Sequence, residues 1–144
     1  MRFLITAQPG PNSHHPGPND LFDEKLFVAY MKYNEEMHKA GVLVAAEGLN
    51  PEGKGARIEV KDGKRVVVDG PFAEAKELVG GFYVVEVGSL EEAVQWALRC
   101  PTGMGFDDIQ EIRPLTTDAD LPPHLLDLIR QSAPEWSRTL IKEK

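Results

Sequence analysis

The chain has 144 residues, 42% of them hydrophobic and 27% charged, proportions that suit one globular domain with a core of its own. Its 23 acidic residues outnumber 16 basic ones, for a formal charge of −7. The basic residues are scattered among acids, which excludes a nucleic-acid footprint and leaves the acidity to serve solubility.

Phe3 to Ala7 reads as a short strand, followed from Gln8 to Asn19 by a loop whose prolines and glycines forbid regular structure. Asp20 is placed to cap a helix, with Asp23 and Glu24 in its first turn. Leu26, Tyr30, Tyr33 and Met37 recur at steps of four, three and four, which predicts one buried helical stripe. Lys32–Glu36 and Glu35–Lys39 are expected to pair on the wet side, and Gly41 to end the helix. His38, near that end, needs only the helix dipole to explain it.

Val42 to Ala46 is an apolar run short enough for a buried strand, closed by Glu47-Gly48. Beyond a loop from Asn50 to Gly55, Ala56 to Lys61 and Lys64 to Asp69 flank Asp62-Gly63, a strong hairpin signal. Val79 to Val87 is a further strand, entered through Gly80-Gly81. Ser89 to Glu92 has the form of a capping box. Behind it Leu90, Ala93, Val94, Ala97 and Leu98 make an apolar helical face that stops at Pro101. Ile109 to Leu115 supplies the last core strand. From Thr116 the composition turns polar and then helical, with Leu125, Leu128 and Ile129 in a tail helix after Pro122-Pro123.

Without the hairpin this order is βαββαβ, so the expected fold is α+β, a ferredoxin-like split βαβ arrangement carrying an inserted β-hairpin. The domain is expected over 1–115 and a helical extension over 116–144, packed on the same domain or on a partner subunit. The opening Met-Arg-Phe-Leu-Ile-Thr is too short for a signal peptide, and no run of about 18 apolar residues occurs. The expectation is a soluble cytoplasmic protein without a membrane or nucleic-acid partner. Cys100 is the only cysteine, so no internal disulfide forms, and its setting before Pro101 reads as passive.

The chemistry concentrates at the end of the hairpin. A two-residue turn at Asp62-Gly63 sets Ile58 opposite Val67 and Ala56 opposite Asp69. Asp69 then ends a largely apolar face, beside a turn that Gly70 and Pro71 stiffen and Phe72 walls. It is either a tuned acid, base or ligand anchor, or a cap that accepts the backbone N–H groups of the turn. Glu47 is the second candidate, on a strand face shared with Leu43 and Ala45. If its strand runs beside that of Asp69, the two carboxylates converge at one mouth, as acid–base pairs do. A solvated strand-end acid is the plainer reading. No zinc spacing, phosphate-binding glycine loop or serine elbow is present, and His14-His15 in the loop make a poor metal site.

Four segments carry a family resemblance: Ala40 to Leu49, Asp69 to Glu77 with its Asp-Gly-Pro-Phe-Ala-Glu string, Gly80 to Tyr83, and Glu92 to Ala97. Together they resemble the YCII-related proteins, and more narrowly their DGPF branch, over residues 1 to 115. The resemblance implies a ferredoxin-like fold that dimerises into an α/β barrel, each subunit contributing to a central cleft. It implies lyase- or hydrolase-like chemistry in some relatives, through a histidine in the first helix and an aspartate. Tyr30 stands at the matching helix position here, a departure from that pattern. The resemblance also implies an association with extracytoplasmic-function sigma factors. Two functions are therefore expected to compete. One is a homodimeric enzyme acting on a small polar metabolite, with Asp69, Glu47 and Tyr30 catalytic, Gly70, Pro71 and Phe72 binding substrate, and no cofactor or metal. The other is a non-catalytic metabolite-binding or regulatory module.

Overall fold

The computed structural model describes residues 1–9, 24–49, 55–69, 80–101 and 108–140. The chain divides into two compact units, Met1–Pro114 and Leu115–Lys144. The first contains β1 (Arg2–Pro9), α1 (Glu24–Lys39), β2 (Leu43–Gly48), β3 (Ala56–Lys61), β4 (Lys64–Asp69), β5 (Gly81–Glu86), α2 (Leu90–Leu98) and β6 (Asp108–Pro114). Four strands form one antiparallel sheet in the order β2-β5-β1-β6, while among the described residues β3 and β4 pair with each other in a separate two-stranded sheet. Omitting that hairpin, this is the strand order of a ferredoxin-like split βαβ fold. The sequence order predicted it.

One face of the sheet is the core. Phe3 and Ile5 of β1 and Val85 of β5 alternate onto it and are buried against Tyr33 and Met37 of α1 and Ala93 and Ala97 of α2. Leu26 and Tyr30 complete the expected α1 stripe but stay half-buried. On α2 the buried face is narrower than the apolar pattern: Ala93 and Ala97 are inside, whereas Leu90 and Leu98 are exposed. Small residues allow the helix to approach the sheet closely, and Trp96 fills the flank beside the core.

Local chemistry sets the helix ends. After α1, Gly41 adopts φ +73°, its N–H bonding to the His38 carbonyl and the Val42 N–H to the Met37 carbonyl. That is a Schellman motif, which needs a left-handed residue and therefore favours glycine. Before α2, the Ser89 hydroxyl accepts the Glu92 N–H, while the Glu92 carboxylate reaches back to the Gly88 N–H at 2.8 Å. The capping box thus closes one residue earlier than its sequence form implies. Asp20 and Asp23 lie outside the described residues. Glu35–Lys39 pairs along α1 as expected at 3.3 Å, but Glu36 turns to Arg99 beyond α2.

The hairpin register is the one the turn dictates. Lys61 faces Lys64, Ile58 faces Val67 and Ala56 faces Asp69, with Asp62 and Gly63 both at positive φ. No other described element packs extensively against it, and its apolar side chains remain exposed: Ile58 58%, Val60 71% and Val67 67%. In the second unit a 3-10 turn (Asp118–Asp120) precedes α3 (Pro123–Ser132) and α4 (Pro134–Leu140). The tail therefore has two helices where the leucine pattern predicts one, because Pro134 starts a new helix after Ala133 leaves helical geometry.

Candidate functional site

Glu47 owes its placement to a bulge. The register of β2 against β5 shifts between Leu43 and Ala45, with Val44 left over and exposed. Leu43 pairs with Val85 on the core face, but Ala45 pairs with Val84 and Glu47 with Phe82, on the opposite face. Glu47 thus shares a face with Ala45 and not with Leu43, a correction to simple alternation. One inserted residue reverses every side chain after it.

The face that Glu47 joins is covered by neither α1 nor α2. Following the register across all four strands gives a single row: Glu47, Phe82, Thr6 and Glu111. The next row is Ala45, Val84, Leu4 and Arg113, and Ile109, 44% exposed, lies opposite Gln8. The centre of this open face is therefore apolar and half-buried, with an exposed carboxylate at either edge of one row. Three strand spacings separate the two acids, about 14 Å at the backbone, so they flank a ligand-sized strip without sharing a proton. The sequence points to Glu47 but not to Glu111 or Phe82. The alternation Ile109, Glu111, Arg113 marks a polar-facing side of β6, yet only the register shows which row it completes.

Tyr30 lies on the other side of the sheet, half-buried against the core. It faces a tyrosine cluster in which Tyr33 meets Tyr83 edge-on, ring centres 5.6 Å apart at 82°. Burial pushes both the Tyr33 and Tyr83 phenols above their ordinary range, and the nearby Cys100 thiol adds to the effect. Neutral phenols follow, suited to donating hydrogen bonds. Cys100 itself is buried in the core.

The backbone of Asp69 ends β4 opposite Ala56; its side chain, and Gly70, Pro71 and Phe72, lie outside the described residues. Since β4 pairs with β3 and β2 pairs with β5, strand pairing does not set Asp69 beside Glu47. One chain-path relation still joins them. β2 ends and β5 begins at the same end of the sheet, where Gly48 faces Gly81, and the hairpin is inserted between those two strands. Gly81 is required there: an added Cβ would lie 2.9 Å from the Glu47 carbonyl oxygen.

A shallow apolar groove on the outside of α1, lined by Phe27, Val28, Met31, Lys32, Glu35 and Glu36, contains none of these candidates. It is the surface of a single helix, and we place the site on the open sheet face. Among the described residues no three His, Cys, Asp or Glu side chains are grouped to hold a metal ion. No described helix is long and apolar enough to cross a membrane.

The model of the YCII-related domain matches residues 1–116. An uncharacterized protein of Rhizobium meliloti (strain 1021) is 32% identical over 93 residues, 65% of this chain and 75% of that protein. Among solved structures, the chain is similar to the 5-chloro-2-hydroxyhydroquinone dehydrochlorinase TftG of Burkholderia phenoliruptrix AC1100, in complex with 2,5-dihydroxybenzoquinone. That likeness has a TM-score of 0.44 at 14% identity, covering 85% of this chain and 100% of the other.

Proposed function

Since the chain belongs to the YCII-related family, we propose that it is a cytoplasmic homodimer that transforms a small polar molecule by lyase- or hydrolase-like chemistry, using an acidic cleft and no organic cofactor. The observation that supports this is the row Glu47, Phe82, Thr6 and Glu111 on the open sheet face. An apolar centre with polar groups at its rim suits a small ligand, once a second surface closes over it. In this reading Asp69 serves as acid or base, Glu47 orients the substrate or acts as the second acid, and Gly70, Pro71 and Phe72 line the site. Tyr30 enters as a hydrogen-bond donor only where a ligand reaches around the β2 end of the sheet.

The exposure of Glu47 favours a second reading, a metabolite-binding or regulatory module without turnover. A tuned catalytic carboxylate needs desolvation, whereas a binding one does not. A thermal-shift screen of small polar metabolites against wild type, Glu47→Gln and Asp69→Asn tests both readings. The enzyme predicts a stabilising hit lost in both variants and consumed by wild type. A hit that is bound but never consumed supports the module, and absence of any hit rejects the site.

A further inference from the structure

Arg2 and Arg113, the basic residues of the open sheet face, are neighbours. Phe3, Ile5 and Ile112 pack into the core, so alternation turns Arg2, Leu4 and Thr6 of β1 and Glu111 and Arg113 of β6 to the other side. Arg113 pairs across the strands with Leu4, which sets it diagonal to Arg2. Diagonal neighbours on adjacent strands stand about 7–8 Å apart, close enough for two arginine side chains to hold one small group between them. We propose that Arg2 and Arg113 bind the carboxylate of an organic acid whose body extends toward the row of Glu47, Phe82, Thr6 and Glu111. The inference rests on the open sheet face being the ligand site, and it names the class of ligand.

Charge selects a carboxylate over other anions. Among the described residues neither arginine takes part in an ion pair. Each nevertheless has an acid nearby: Glu86 lies opposite Arg2, and Glu111 stands two residues before Arg113 on the same face. Two bases and two acids leave this corner near neutral, so one further negative charge fits and two are opposed. A guanidinium offers its N–H groups in a planar fork that matches a carboxylate. Leu4, half-buried opposite Arg113, lowers the local dielectric and strengthens such a bond, while Arg113 itself is exposed and keeps the corner accessible. The next row lies two residues along the strands, roughly 7 Å away. A ligand with a polar group that far from its carboxylate reaches Thr6 and Glu111 with its other end.

Ligand-observed NMR titration tests this with 4-hydroxybenzoate, whose carboxylate and hydroxyl stand at opposite ends of one ring. The comparison ligands are 4-hydroxybenzamide, which lacks the charge, and 4-hydroxyphenyl phosphate, which carries more of it. Far-UV circular dichroism confirms the fold of each variant. Wild type is expected to bind the acid about tenfold more tightly than either comparison ligand. Arg2→Gln and Arg113→Gln should each weaken the acid by about tenfold and remove its advantage over the amide. Arg113→Lys keeps the charge but loses the fork, and recovers only part of the loss. Should either glutamine variant unfold, the other and Arg113→Lys still decide the outcome.

No saturable binding of the acid up to about 10 mM overturns the proposal. So does equal affinity for acid and amide, a preference for the phosphate, or binding indifferent to both arginines. Glu47→Gln lies outside the anchor and should leave the preference for acid over amide intact. A carboxylate anchor that behaves as expected while no bound acid is ever consumed rejects the enzyme and keeps the inference. A metabolite that is consumed but carries no carboxylate rejects the inference and keeps the enzyme.

Discussion

The Tyr33 hydroxyl donates to the Trp96 carbonyl at 2.7 Å, tying α1 to the last turn of α2. That carbonyl also accepts the Arg99 N–H at 3.1 Å, so both of its lone pairs are used. Tyr33→Phe keeps the ring against Tyr83 and removes only this bond. The expected cost is about 1 kcal/mol in denaturant unfolding, with the native circular dichroism unchanged. A cost near zero would mean that water replaces the hydroxyl at no loss.

Burial raises the pKa of Tyr33 and Tyr83 above the ordinary tyrosine value. The folded state therefore holds its phenolic protons longer than the unfolded state does. Below about pH 10, where unfolded tyrosine is still neutral, these two groups give stability no pH dependence. Above that point the unfolded chain ionises first, and stability falls as pH rises toward the folded values. Urea titrations from pH 9 to 11 should show this decline. It should be shallower in Tyr33→Phe and in Tyr83→Phe.

Much of the fold is legible in the sequence, because its signals are local. Asp62-Gly63 states the hairpin register, Gly41 states a helix end, and the order of apolar runs states the topology. What escapes is non-local. The extra residue at Val44 leaves no mark in the run Val42 to Ala46, yet it decides which face Glu47 occupies. Glu111 becomes Glu47's row-mate only through two intervening strands. Glu36 matches Lys32 at helical spacing, but Arg99 meets it from a different helix end. The Asp-Gly-Pro-Phe string carries a resemblance and no geometry, since beyond the backbone of Asp69 it lies outside the described residues.

Arg99 holds two interactions at once, an ion pair with Glu36 and a stack over the Trp96 ring at 4.4 Å. Both partners of the ion pair are about half exposed, so it contributes only about 0.2–1 kcal/mol and weakens with salt. The stack survives salt better. Glu36→Gln should therefore lose its small destabilisation in 1 M salt, while Arg99→Ala should keep most of its own, on the order of 0.5–1 kcal/mol. Equal salt sensitivity in the two variants would show that the stack contributes nothing.

Gly81 links stability to the candidate site. A Cβ there meets the Glu47 carbonyl at 2.9 Å, and backbone on both strands leaves little room to yield. Gly81→Ala should cost about 1–3 kcal/mol and displace the end of β2, with it the Glu47 carboxylate. Gly48→Ala, whose Cβ meets nothing within 4 Å, is the control. If ligand binding rests on Glu47, affinity should fall in the first variant and hold in the second.

Gly63 offers a way to loosen the β3–β4 hairpin without touching its apolar face. It sits at φ +74°, and an added Cβ there meets nothing within 4 Å, so a substitution suffers backbone strain alone. A β-branched residue resists that conformation most, at about 1–2 kcal/mol, whereas asparagine accepts it more readily. Because β3 and β4 form a two-stranded sheet of their own among the described residues, Gly63→Val should speed hydrogen exchange in the hairpin and leave the four-stranded sheet protected. Gly63→Asn should exchange close to wild type. Uniform loss of protection across all the described strands would instead make the hairpin part of the same cooperative unit as the main sheet.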